Sequence, residues 1–141
     1  MILIDTNVVS ETLKAKPEEQ VVRWLTENDE DIWLPVIVIA EIAYAIERIR
    51  PEQRASRLAQ GLDAWRDQFY DRICTFSESD ALVYGRIMGQ ASQKGRPMAI
   101  PDGMVAAMAV GRGASLAIRN VSDFSNCGIP LVNPWEFRPG Y

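Results

Sequence analysis

The sequence predicts an α/β domain built on a parallel sheet with helices on both faces, and three observations point there. Short apolar runs alternate with longer segments of helical periodicity, the pattern of strand–helix–strand units. Four carboxylates, Asp5, Glu41, Asp102 and Asp123, stand at the ends of strand-like runs or beside apolar helix surface, and parallel sheets bind ligands beyond the carboxyl ends of their strands. No linker, internal repeat or low-complexity tract divides the 141 residues, so one domain spanning residues 1–141 is expected, long enough to bury a single sizeable core.

Each element has a local reason. Met1–Ile4 is a short apolar run closed by Asp5, as in a buried strand, and Thr6–Leu13 begins a helix that Thr6 or Asn7 can cap. Pro17 precedes a helix over Glu18–Glu27 with Val21, Val22, Trp24 and Leu25 turned inward. Asp31–Leu34 is a strand ending before Pro35. Val36–Ile49 is too long for one strand and reads as a helix closed by Pro51. Glu52–Phe69 carries Leu58, Leu62, Trp65 and Phe69 at helical spacing. Arg72–Thr75 is a brief strand, and Ser79–Gln93 is a helix capped by Ser79. Lys94–Ile100 is a loop. Pro101 suits the first helical position of Pro101–Gly111, with Gly111 or Gly113 at its end. Ser115–Arg119 is a strand, Asn120–Gly128 a turn-rich loop, and Pro130–Val132 a last strand.

Composition removes several chemistries. The chain has no His, which excludes Ser-His and Cys-His nucleophilic schemes and any imidazole base. Cys74 and Cys127 are the two cysteines and do not form a C-x-x-C pair; they read as reduced thiols, and a zinc site is not expected. There is no apolar run long enough for a membrane span and no basic leader before Asp5, so the cytoplasm is the expected compartment. The net charge of −4 argues against broad electrostatic binding of nucleic acid, while leaving room for a nucleic-acid substrate held locally by Arg and Lys. Glu47–Arg50 with Arg54 and Arg57 is one basic-leaning stretch; it reads as a solvated helix face with some capacity to touch phosphates. The glycines form neither a G-x-G-x-x-G nor a P-loop, and Trp24, Trp33, Trp65 and Trp135 read as core or interface.

The carboxylates each have a bland reading. Asp5 is able to cap the helix that follows, Asp102 to complement a helix dipole, and Asp123 to stabilise a turn. Glu41 is different. Its neighbours at helical spacing are Ile37, Val38, Tyr44 and Ala45, and a bare carboxylate on an apolar stripe needs a partner. That partner is either a buried cation or a metal or substrate; the second is favoured. Converged carboxylates without His call for a hard divalent ion held by oxygen, Mg²⁺ or Mn²⁺.

Five segments then occur in order across nearly the whole chain: Met1-Ile2-Leu3-Ile4-Asp5-Thr6-Asn7, Ala40-Glu41-Ile42, Pro101-Asp102-Gly103-Met104-Val105-Ala106-Ala107, Arg119-Asn120-Val121-Ser122-Asp123-Phe124 and Leu131-Val132-Asn133-Pro134-Trp135. Together they resemble the motifs of PIN-domain ribonucleases in the branch of the VapC and FitB toxins. The resemblance implies a three-layer α/β/α fold with a central five-stranded parallel sheet. It implies an Mg²⁺- or Mn²⁺-dependent endoribonuclease, commonly a homodimer, acting as the toxin of a bacterial type II toxin–antitoxin pair. RNA phosphodiesters would be hydrolysed by a metal-activated water, leaving a 5′ phosphate. A cognate antitoxin of the VapB or FitA kind would hold the enzyme inactive, in a hetero-oligomer that binds operator DNA through the antitoxin.

The resemblance places Asp5, Glu41 and Asp102 on three acidic positions of the family's site. The fourth position is Asn120 here, with Asp123 three residues on, and a position often carrying a hydroxyl is Ile118. Asp5, Glu41, Asp102 and Asp123 are therefore the candidate catalytic residues, and the same four with Asn120 the candidate metal ligands. One ion would sit firmly under Asp5 and Asp102, with Glu41 partly through water, and a second more weakly. The alternative is a PIN-fold protein that binds RNA or an antitoxin without cutting. A receiver-like Mg²⁺-binding regulatory domain is more distant. It would need adjacent acids after the first strand, an Asp after the third and a Lys after the fifth, whereas Asp5 stands alone, Thr75 ends the third and no Lys follows Val132. A phosphohydrolase of the haloacid type would need D-x-D where the chain has Asp5-Thr6-Asn7.

Overall fold

The computed structural model describes residues 1–140. Five strands, β1 (Ile2–Ile4), β2 (Ile32–Pro35), β3 (Ile73–Cys74), β4 (Ser115–Ala117) and β5 (Leu131–Val132), form one sheet in the order β3-β2-β1-β4-β5. All four pairings are parallel, with Ile2 beside Ile32 and Ser115, and Leu116 beside Leu131. Six helices connect them: α1 (Thr6–Thr12), α2 (Glu19–Glu27), α3 (Val36–Arg48), α4 (Gln53–Gln68), α5 (Glu78–Gln93) and α6 (Ile100–Arg112).

The alternation of side chains along a strand divides the interior in two. Ile4, Ile32, Leu34 and Ala117 face one way, into a core with Val8 and Val9 of α1, Trp24 of α2, Val38, Ile42 and Ile46 of α3, and Leu62 of α4. Leu3, Leu116 and Ile118 face the other way, onto Val105, Ala106, Met108 and Ala109 of α6. Residues such as Leu3, Ile4, Ile32 and Leu34 have no exposed surface, each worth about 1.5–3 kcal/mol of burial. This is the three-layer α/β/α arrangement with a five-stranded parallel sheet. Trp24 is core, Trp65 stacks on Phe69 and Trp33 lies against the α6 side. Cys74 and Cys127 are not joined to each other.

Several boundaries differ from expectation. Asp5, not Thr6 or Asn7, occupies the cap position of α1. The fifth helix begins at Glu78 rather than Ser79, because Ser77 accepts a hydrogen bond from the Asp80 N–H (3.1 Å) while Asp80 accepts one from the Ser77 N–H (2.9 Å). This reciprocal box satisfies two end donors that Ser79 would leave open. In α6, Ala99 is the cap and Pro101 the second helical residue; Gly113, with φ of 60°, ends the helix. The fourth strand stops at Ala117, and Val121–Phe124 in the loop beyond it forms a 3₁₀ turn.

The α5 and α6 pair is tied by one ion pair. Arg112 of α6 grips both oxygens of Asp80 (2.9 and 3.1 Å) and also donates to the carbonyls of Met108 and Thr75 (each 2.9 Å). The bond to Thr75 carries the link just past β3. The fork of the guanidinium matches the carboxylate in this way, where Lys would not. Burial alone would raise the Asp80 carboxyl, but the Arg112 and Ser77 hydrogen bonds outweigh it and hold it below its ordinary 3.8.

Removing one partner of a buried pair costs roughly 3–5 kcal/mol. Arg112 keeps some access to water (24% exposed), so Asp80→Ala is expected to cost about 3 kcal/mol, the low end of that range, by urea denaturation at neutral pH. Because the folded-state value is depressed, the contribution is present above pH 3.8 and is lost as pH falls through the folded value. A loss below about 0.5 kcal/mol, the size of an ordinary surface change, would refute the assignment.

Candidate metal centre

The site lies at the carboxyl ends of the central strands. β1 is flanked by β2 and β4; the chain runs outward from β1 through β2 to β3 and then crosses to β4 on the other side of β1, and such a reversal of strand order opens a crevice at that point. Asp5 is fixed there by its backbone. Its N–H donates to the Ala117 carbonyl of β4 (3.0 Å), and its carbonyl accepts from Val8 (3.0 Å) as α1 begins. Its side chain makes no capping bond to the helix, so the capping explanation for Asp5 fails. The carboxylate is 7% exposed. Burial raises its pKa, the Thr6 N–H opposes that, and the charges of Asp102, Glu41 and Asp123 raise it further, to about 6.

Glu41 sits in the second turn of α3, half-buried. The apolar stripe expected around it is displaced: Val38, Ile42 and Ile46 form the buried face, and Tyr44 is 68% exposed. Glu41 is therefore at the edge of the core. No cation pairs with it among the described residues, which removes the structural ion pair. Its partner is Thr6, whose hydroxyl donates to Oε1 at 2.6 Å across 35 residues of chain. Sequence reasoning missed this contact, because Thr6 had been assigned to capping.

Asp102 occupies the first turn of α6, half-buried; burial raises its carboxyl, and the charges of Asp123 and then Glu41 add to it. The next residue, Gly103, lets α5 approach: a Cβ there would collide with Met88 Sδ. Asp123 is exposed on the 3₁₀ turn, close enough to be the first charge acting on Asp102. Asn120 is exposed as well, and its Oδ1 accepts the Ser122 hydroxyl (2.8 Å), so its carbonyl is engaged within its own turn. Ile118 is buried in the core on the α6 side, where a hydroxyl would be desolvated.

Asp5 and Asp102 each feel the charges of Glu41 and Asp123, yet no three acid or thiol side chains among the described residues are drawn together tightly enough to ligate one ion as they stand. The two facts are compatible. Charge repulsion reaches over several ångströms, whereas a hard cation is ligated at about 2.0–2.6 Å. The arrangement is a set of carboxylates near one another but too far apart for three of them to ligate one ion directly. That suits an ion of the Mg²⁺ kind, which keeps several waters and takes only one or two carboxylates directly. Donor chemistry agrees, since every candidate ligand is oxygen and none of the four acids has a cationic neighbour in hydrogen-bond contact.

Beside the acids opens a cleft of about 570 Å³, with Asp102 and Asp123 on one side and Arg86, Lys94 and Arg96 among its other lining residues. These cations were also missed. A signal existed: residues 81–101 contain Arg86, Lys94 and Arg96 and no acid at all. The basic-leaning stretch is instead partly neutralised, with Arg50 on Glu47 and Arg54 near Glu52, while Arg48 lies over the Tyr44 ring.

The profile of the PIN domain matches residues 2–128, a span that includes all the candidate residues. The chain belongs to the PIN-domain family. It is 34% identical over 138 residues to a protein named Toxin FitB from Neisseria gonorrhoeae, covering 96% of this chain and 99% of that one. It is 31% identical, with the same coverage, to a VapC ribonuclease, Y4jK, from Sinorhizobium fredii. The solved structure of FitAB bound to the IR36 DNA fragment contains a chain that superposes with a TM-score of 0.87 at 31% identity, covering 100% of both. Membership of the PIN ribonucleases implies use of a divalent ion.

The buried Asp5 carboxylate sets a test of the metal-free protein. Its folded value, about 6, lies above the ordinary 3.8, so the folded state holds the proton more tightly. The rise corresponds to on the order of 3 kcal/mol, a cost present above pH 6 and relieved as pH falls towards 3.8. Asp80, shifted the other way, acts only below 3.8. In EDTA, stability is expected to be higher at pH 5 than at pH 7, and Asp5→Asn to raise the pH 7 value and flatten the difference. A less stable Asp5→Asn protein at pH 7 would count against the repulsive cluster.

Proposed function

We propose that this protein is a divalent-metal-dependent endoribonuclease that acts as the toxin of a bacterial type II toxin–antitoxin pair. One observation carries the reading: four carboxylates with no cationic partner converge at the carboxyl ends of the central strands of a PIN domain. Relatives over nearly the full length bear the names toxin and ribonuclease.

Asp5 and Asp102 are the ligands of a firmly held ion, Mg²⁺ or Mn²⁺, because they are the two acids whose burial leaves most charge to be neutralised. Glu41 would help hold the ion, partly through water, and the Thr6 hydroxyl fixes the orientation of its carboxylate. Asp123 supplies the outer acid beside Asp102, and Asn120, occupied by Ser122, contributes least. A bound divalent ion supplies an acidified water and offsets charge on the phosphate under attack. The protein's own part is to hold its oxygens in place and to keep Asp5 dry. With no His in the chain, hydrolysis by water needs no covalent intermediate.

The decisive measurement is cleavage of a structured RNA by the purified protein. EDTA should abolish it, and Mg²⁺ or Mn²⁺ should restore it. Asp5→Ala, Glu41→Ala and Asp102→Ala are each expected to lower the rate at least about a hundredfold, the scale of losing one catalytic electrostatic contact. Asp123→Asn should weaken metal binding and turnover, and Asn120→Ala should do so much less. Cleavage that persists in excess EDTA refutes the mechanism.

The partner is an antitoxin whose basic tail meets the acidic centre, since a guanidinium pairs bidentately with carboxylates. The relative captured as FitAB on a DNA fragment supports a DNA-binding complex for this chain too. Expression alone should arrest bacterial growth, and co-expression of its cognate antitoxin should relieve it. Normal growth with soluble, active protein present would remove the toxin role.

A further inference from the structure

In a chain of net charge −4, seven of the fifteen Arg and Lys side chains are paired with acids among the described residues: Lys14, Arg23, Arg50, Arg54, Arg66, Arg72 and Arg112. Arg86, Lys94 and Arg96 are not. Among the described residues none of the three has an acid within salt-bridge distance, and all three line the one cleft that also carries Asp102 and Asp123.

Their placement is built by the backbone. Arg86, Gln90 and Lys94 recur every four residues and share one face of α5. The helix then stops at Gly95, whose φ is 70°. The Gly95 N–H returns to the Ser92 carbonyl (3.0 Å) and the Arg96 N–H to the Ala91 carbonyl (2.9 Å). This paired closure of a helix end fixes the first residue outside it, so Arg96 leaves the helix from a defined point on the same cleft. Behind the cations the lining is apolar, with Ile87, Met98 and Cys127 packed on the core beside α6.

The occupant must therefore present anionic groups to three cations and a flat apolar body to the wall between. It must also carry a further anion to the edge of the acidic centre. A single nucleic-acid strand has that alternation of phosphate and base. The cleft, about 570 Å³, falls within the range of about 300–1,000 Å³ that holds small ligands, which admits a splayed nucleotide. Proteins that read RNA commonly take bases in this unstacked state. An acidic peptide would satisfy the cations but offers no flat ring for the apolar wall between them.

We propose that the α5–α6 cleft is a nucleotide subsite: Arg86, Lys94 and Arg96 hold the backbone phosphates of an unpaired RNA nucleotide next to the bond being cut, and Ile87, Met98 and Cys127 receive its base. The proposal deepens the ribonuclease reading and rests on it for the identity of the strand. It makes these three cations the positioning residues that select single-stranded or loop segments at the site.

The test is binding of a short fluorescein-labelled oligoribonucleotide of mixed sequence, by anisotropy in EDTA so that no cutting occurs, over a series of salt concentrations. The protein is compared with Arg86→Gln/Lys94→Gln/Arg96→Gln, three exposed positions without hydrogen-bonded side chains whose replacement should leave the melting temperature unchanged. The triple variant is expected to bind at least about tenfold more weakly, with a salt dependence shallower by roughly 0.7 in log–log slope for each cation removed, about 2 in all. The wild-type protein should prefer this strand to the same sequence annealed to its complement. Met98→Trp, which fills the cleft and keeps the cations, should also weaken binding. Equal affinity and equal salt slope for wild type and triple variant would overturn the subsite, as would no binding of the strand by the wild type or a preference for the duplex. Loss of polyglutamate binding with RNA binding untouched would give the cleft to an acidic protein instead and overturn it too. Because the readout is binding without cleavage, failure of the nuclease reading alone shows separately, as a protein that binds the strand through these cations but does not cut it with Mg²⁺ or Mn²⁺.

Discussion

Everything about this domain follows from holding like charges close together. Four carboxylates are brought to one crevice without a cation to separate them, and the most buried, Asp5, is pushed to a pKa of about 6 by burial and by the other three. Such a cluster drives its members apart, so the scaffold must be stiff where each is attached. Asp5 is anchored on both sides of its peptide group, to β4 through its N–H and to α1 through its carbonyl. Glu41 is steadied by the Thr6 hydroxyl. The two cores, one on each face of the sheet, supply the free energy that opposes the repulsion. The strain is local and electrostatic, and a divalent ion is the natural species to relieve it.

The α5–α6 pair does a different task. Arg112 on Asp80 locks the two helices near one end, and Gly103 permits their close approach near the other, against Met88. Between them, α6 sets the position of Asp102 and α5 that of Arg86 and Lys94. The acids and the cations of the cleft are thus carried by one rigid unit, and their spacing does not depend on loop conformation except at Asp123 and Arg96. Both of those sit on tightly closed turns.

Much of this was legible in the amino acids. Strand and helix order could be read because the strands are short, apolar and bounded by Asp, Pro or Gly, and the helices have regular apolar spacing. Asp5, Glu41 and Asp102 were found because acids at such junctions are chemically costly. Less was legible where the decisive contact is non-local. Nothing near Thr6 in the chain announces that its hydroxyl meets Glu41, and the choice between Asn120 and Asp123 depends on how a 3₁₀ turn aims two side chains three residues apart. Ser79 and Ser77 are equivalent as sequence and differ only in which one Asp80 can answer. The apolar spacing around Glu41 was misleading because Tyr44 has the right period and the wrong face. The cation wall is not legible from the density of charge, which is highest over Arg48 to Arg57; it depends on three cations of one acid-free stretch being folded onto one cleft.

The order of the strands has a consequence for how the molecule comes into being. β1 precedes every other strand of the sheet, and it sits at the middle of the sheet with β4, more than a hundred residues later, on one side. Until that late strand arrives, Asp5 has no carbonyl of Ala117 to hold its N–H, and neither Asp123 nor the final sheet edge exists. Pairing across so great a length of chain is slow and comes near the end of folding. An incomplete chain, whether nascent or broken off early, therefore carries the first acid of the centre but cannot assemble the centre itself. For a polypeptide with a harmful activity, that delay is a safeguard written into topology: the capacity to do damage appears only when the whole chain, and with it every surface a restraining partner would grasp, is present.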